Sequence, residues 1–160
     1  MDLLIPYEVN GEIIKSAIAL KIRQNVTLQD NTPYKIYKER VVQGFTKPSF
    51  FIWTLDVDQQ KQMRNNFERH YQMSVRVHLK DNATKTYEQL SELGNKLLCV
   101  LSLIDVPILV DSNTLGTLPV TGTQMSFNIV DDVLQFFVTY KIRIKQKLAE
   151  HSKMQVLNII

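Results

Sequence analysis

The chain has 160 residues, 44% hydrophobic and 22% charged, with five Gly and five Pro, which argues for one folded domain and against long disorder. Its net charge of +3 is too small to mark a nucleic-acid binder by itself. One cysteine, Cys99, excludes an intramolecular disulfide or a CxxC site, and its neighbours Leu97, Leu98, Val100 and Leu101 suggest a buried thiol.

The first ten residues, MDLLIPYEVN, carry an acid at position 2 and a proline at position 6, so no targeting signal is expected. Asn10 is placed to cap a first helix whose apolar residues Ile13, Ile14, Ala17, Ile18 and Ile22 recur at helical spacing, ending near Asn25. The turn-rich QDNTP at residues 29–33 precedes a short strand, Tyr34 to Tyr37, and QGFTKP at residues 43–48 reads as a loop. The sequons at Asn25 and Asn82 read as chance matches in a soluble protein of a reducing compartment.

A central hairpin follows. Its first arm sets Phe51, Trp53, Leu55 and Val57 on one face, expected to meet the core; Phe50 and Ile52 begin the other face, which ends polar with Thr54 and Asp56. In the second arm Tyr71, Met73, Val75, Val77 and Leu79 alternate with Gln72, Ser74, Arg76, His78 and Lys80, one face inward and one in solvent. Between the arms, residues 58–66 (Asp58, Gln59, Gln60, Lys61, Gln62, Met63, Arg64, Asn65, Asn66) are almost wholly polar and read as a long mobile tip.

A second helix is expected from about Thr84 to Ile104, with Tyr87, Leu90, Leu93, Leu97, Leu101 and Ile104 as its core stripe. The apolar window from Leu97 to Val110 is broken by Asp105 and Pro107 and falls short of the about 20 residues a membrane span needs. A loop with Pro107, Gly116 and Pro119 then leads to a final hairpin. If Asp131-Asp132 is its two-residue turn, Val130 faces Val133, and Ile129, Phe127 and Met125 face Leu134, Phe136 and Val138 on one side. Tyr140, Ile142 and Ile144 continue the core side, while Lys141, Arg143, Lys145 and Lys147 form a basic outer row. That row reads either as a surface for phosphate or an acidic partner, or as protection of a strand against aggregation. The fold class is α+β: an antiparallel sheet with two helices on one face and a long central hairpin. Residues 1–147 form the domain, and 148–160 a tail ending in Val156, Leu157, Ile159 and Ile160.

No catalytic constellation emerges. His70 and His78 share a strand face but lie about 26 Å apart, too far to share a metal. Glu68 and His70 read as a solvated pair with no nucleophile or oxyanion hole nearby. The five glycines match no phosphate-cradling spacing. The expectation is a protein without enzymatic activity, metal or cofactor.

Three stretches, QGFTKPSFFIWTLD (43–56), NNFERHYQMSVRVH (65–78) and IVDDVLQFFVTYKIRI (129–144), occur in an order that resembles the tail-terminator family of tailed phages and defective prophages of Gram-positive bacteria. The resemblance covers roughly Gly11 to Lys147. Ser49 stands where a cysteine is expected, Asp132 where a glycine often follows the turn aspartate, and the segment from Pro107 to Gly122 is longer. The resemblance implies a virion protein that assembles in the host cytoplasm as a ring, usually hexameric. Such a ring caps the tail tube, stops its growth and offers the head connector a docking surface. Implied partners are further copies of itself, the tail tube protein, head-completion or connector proteins, and a sheath where the tail has one. Genomic DNA passes through the lumen without sequence-specific binding, and no membrane is involved. Candidate assembly residues are Asp58, Gln59, Lys61, Met63, Arg64 and Asn65 in the polar run, Lys141, Arg143 and Lys145 in the basic row, and Leu157, Ile159 and Ile160 in the tail. The rival readings are a head-completion or neck ring protein, and a small nucleic-acid-binding module using the basic row.

Overall fold

The computed structural model describes residues 3–5, 9–40, 43–81, 86–110 and 113–146. Helix α1 (Gly11–Asn25) starts where Asn10 accepts a hydrogen bond from the Ile13 N–H at 3.0 Å, one of the donors a helix leaves open at its start. Ile14, Ala17, Ile18 and Ile22 form its buried stripe. At the far end the Tyr34 hydroxyl donates toward the carbonyls of Val26 at 2.7 Å and Ile22 at 3.3 Å. That bond fixes the end of α1 beside strand β2 (Lys35–Tyr37).

The other elements are β1 (Leu3–Ile5), β3 (Ser49–Lys61), β4 (Asn66–His78), α2 (Thr86–Val100), β5 (Leu103–Val110), β6 (Asn113–Val130) and β7 (Val133–Gln146). Six strands lie in the order β2-β3-β4-β7-β6-β5, and β1 pairs with the end of β7 at Ile144 to Gln146. The β1–β7 and β2–β3 pairs are parallel and the rest antiparallel, so the α+β architecture holds. Both helices contribute to one core with the inward residues of the sheet, among them Phe50, Ile52, Met73, Val75, Leu134, Phe136, Val138 and Tyr140.

The final hairpin has the register expected from its two patterns. Val130, Ile129, Phe127 and Ser126 face Val133, Leu134, Phe136 and Phe137. Asp131 and Asp132 have φ of +52° and +59°, the left-handed pair that a two-residue turn of type I′ requires. The expected Met125–Val138 pair does not form, because the register shifts by one between Thr123 and Ser126, where Gln124 takes φ +51°.

Four expectations need correction. Helix α2 stops at Val100, and Leu103 opens β5, so Ile104 reaches the core from a strand. The stretch expected as a loop is the β5–β6 ladder, where Pro107 faces Thr117, Ile108 faces Gly116 and Pro119 faces Asp105. Proline fits because β5 is an end strand and, among the described residues, β6 pairs only with β5 over residues 113–121, so each strand has an edge on which a missing N–H breaks no ladder bond. Cys99 is exposed, since it lies about 200° around the helix from buried Leu97. Tyr87 is also exposed, because α2 first meets the core one turn later at Leu90.

The first arm of the hairpin is corrected too. A bulge between Thr54 and Asp56 inserts Leu55 as an extra residue, so the faces exchange partway along β3. Phe50 and Ile52 point to the helices, and Phe51 and Trp53 to the outer face. Beyond the bulge Val57, opposite Tyr71, returns to the inner side but stays half exposed. The polar run is strand, not a nine-residue tip: pairing continues to Lys61 opposite Phe67, and only residues 62–65 turn. Backbone ladder bonds need no apolar side chains, so a strand can run polar on both faces when its neighbour is in register. Lys147 and the tail from 148 to 160, with Leu157, Ile159 and Ile160, lie outside the described residues.

Candidate assembly surface

The ladder joins two groups of residues that look separate in the sequence. On the outer face, one row across the sheet runs Asp58, His70, Lys141, and the next runs Gln60, Glu68, Arg143. His70 sits at the centre, with Nδ1 3.1 Å from Asp58 Oδ1 and Nε2 2.7 Å from Glu68 Oε1. Its side chain is only 13% exposed, so Glu68 and His70 are a packed pair and not the solvated one expected. The hydrogen bond from His70, and then the charges of His70 and Lys141, hold the Glu68 carboxyl below its ordinary range. Charge is therefore sorted across this face: Asp56 and Asp58 lie on β3, and exposed Lys141 and Arg143 on β7. Lys145 pairs with Asn66 one step further on.

Gln59 and Lys61 lie on the opposite face of β3. Gln59 accepts from Arg69 Nε at 2.9 Å, and Arg69 also reaches the Tyr71 hydroxyl and the Val9 carbonyl. Gln59 is thus held within its own subunit, whereas Lys61 is exposed. The turn is closed by Gln62 N–H donating to Asn66 O at 2.7 Å and Asn66 N–H to Met63 O at 3.2 Å, with Arg64 at φ +61°. Met63 is 81% exposed at its apex, beside exposed Arg64 and Asn65.

At the other end of the outer face a second cluster closes over β3. Phe51 stacks on Tyr37 and meets the edges of Phe45 and His78, while the Arg76 guanidinium lies over the Trp53 ring at 5.2 Å. Burial, followed by the charges of Lys47 and Arg76, holds His78 below its ordinary range. The unfolded chain takes up this proton near pH 6.5 and the folded chain only at lower pH, so this residue's contribution to stability falls as pH drops below about 6.5. Urea unfolding at pH 7.5 and 5.5 should show a smaller acid loss for His78→Gln than for the natural protein. An equal loss would place the titration elsewhere.

Sequence reasoning missed Glu68 and His70 as part of this surface, since only the three-strand register brings them between Asp58 and the basic row. Among the described residues no group of three or more His, Cys, Asp or Glu could hold a metal ion. No helix among them is long and apolar enough to cross a membrane.

The family model described as phage tail terminator protein matches residues 13–152. The chain therefore belongs to the phage tail terminator family, a family of structural proteins, and is a component of the virion tail that meets other tail and head proteins. No curated protein matches it.

Proposed function

We propose that the protein closes into a ring, of six copies, on the last disc of the tail tube, ends tube growth there and presents the surface on which the head connector docks. The family match over residues 13–152 carries this reading. The charge sorting supports it: acids on β3 and cations on β7, with β4 between them, give one face of the sheet a charge polarity that can steer and register a docking neighbour. The partners are other copies, the tube protein, head-completion or connector proteins and, in a contractile tail, the sheath. Genomic DNA passes through the lumen unread, and assembly takes place in the host cytoplasm. The small nucleic-acid module is disfavoured because Lys141 and Arg143 stand beside His70 and Glu68, a mixed grid and not an unbroken basic stripe.

Particles made without this protein should carry overlong or ragged tails and no heads. Empty or leaking heads on tails of normal length would instead indicate a head-completion protein. Complementation with Lys61→Glu and Arg64→Glu together should leave the fold intact, since both side chains are exposed, yet fail to restore tail length. Tails of normal length would make the turn a passive end of the hairpin.

A further inference from the structure

Beside β2 lies an open groove of about 590 Å³, whose lining mixes apolar Val26, Leu28 and Ile36 with polar Asn31, Thr32 and Lys35. β2 ends the strand order, so its edge away from β3 has no strand on it among the described residues. Lys35 gives its N–H to Pro48 O on the β3 side at 3.2 Å. Strand alternation then turns the N–H and C=O of Ile36 the other way, toward the groove. A trough with an apolar floor beside an open strand edge is the arrangement that accepts an added strand.

We propose that this groove receives residues 156–160 of a second copy of the chain, which add as a strand to the free edge of β2. The inference rests on the ring reading and names the contact between neighbours. The donor has the matching chemistry: Val156, Leu157, Ile159 and Ile160 without a charge among them. Distance excludes the chain's own segment. β7 ends at Gln146, beside the turn end of β4, where Lys145 pairs with Asn66. β2 pairs with Ser49, Phe50 and Phe51, at the opposite end of the thirteen-residue β3. The two ends are about 36–40 Å apart along the strand, before three strands are crossed. From Gln146 to Val156 a fully extended chain spans at most about 36 Å, which falls short once the sideways distance across those strands is added. Groove and donor segment are also different surfaces of one chain, so the contact is head-to-tail, the kind that generates rings.

The test uses the full chain in a Cys99→Ser background. Proteins carrying Lys35→Cys or Asn158→Cys are mixed and oxidised, and a disulfide-linked pair of the two different chains is expected. Leu157→Asp with Ile159→Asp should abolish that product while leaving Tm unchanged. Ile36→Pro removes the outward N–H together with part of a core-facing side chain and should weaken self-association about tenfold, equivalent to about 1.4 kcal/mol, whereas Ile36→Ala, which shortens the side chain but keeps the N–H, should weaken it far less. Oligomers that form without the cross-link, and with Ile36→Pro as tight as the natural protein, would overturn this contact and leave the ring standing. A chain that stays monomeric even with tail tubes present would overturn both.

Discussion

Phe50→Ala should lower the unfolding free energy by about 3–5 kcal/mol, and by more than Trp53→Ala. The two aromatics are three positions apart on one strand and both are buried, yet they occupy different environments. Phe50 is fully enclosed on the helix side, between Ile36 and Val77 on the neighbouring strands, with the Tyr34 ring 4.9 Å away. Its removal leaves a cavity that rigid neighbours cannot close. Trp53 lies on the outer face opposite Ser74, covered in part by Arg76, whose flexible side chain can settle into the space left behind. Urea midpoints at constant m-value measure both changes. A larger loss at Trp53 would place the main core on the outer face.

The second large effect is expected where α2 hands the chain to β5. The Leu101 carbonyl accepts from the Tyr140 hydroxyl at 2.7 Å, and Gly122 donates its N–H to Ser102 O at 2.8 Å. A methyl group on Gly122 would lie 2.7 Å from the Leu101 carbonyl oxygen, the acceptor of the Tyr140 hydroxyl, and 2.9 Å from Val138 Cγ2. Backbone cannot swing aside as a side chain can, so Gly122→Ala should cost about 1–3 kcal/mol. Tyr140→Phe should cost a similar amount, about 1–3 kcal/mol, by leaving a buried carbonyl without its donor. Burial pushes the Tyr140 phenol far above its ordinary range, so it remains a donor throughout the accessible pH range. The two substitutions disturb one carbonyl, so the double variant should lose less than the sum, and a double-mutant cycle reads the difference. Full additivity would mean that the two contacts are independent.

Elements with a single clean periodicity were legible from the residues alone. Helix α1, the alternation of β4 and the 130/133 register each follow from one face apolar and one face polar. The failures share a cause, which is that long-range pairing overrides a local pattern. Leu97, Leu101 and Ile104 keep helical spacing, but the helix ends at Val100, Leu101 lies in the turn that follows, and Ile104 continues on a strand. Leu55 preserves alternation in the sequence while the bulge reverses its meaning in space. Residues 58–61 have no apolar side to announce a strand except Val57 before them, and are held by β4, itself held by β7. For the assembly surface, the residue types were readable one by one. Their adjacency was not, because Asp58 and Lys141 meet only through His70.

Strand β4 is paired on both edges, with β3 from Phe67 to His78 and with β7 from Asn66 to His78. Its amides should be among the slowest in the chain to exchange with deuterated solvent, since no single edge can fray to release them. Glu68 and His70 stand on this doubly held strand, and their rotamers are pinned by each other and by Asp58. If a neighbour docks there, as proposed, it would meet a preorganised template, with little conformational freedom left to freeze out on contact. Such a surface favours fast, repeatable fit over adaptability: it would accept identical partners in succession and reject one whose charges are displaced by a single strand step.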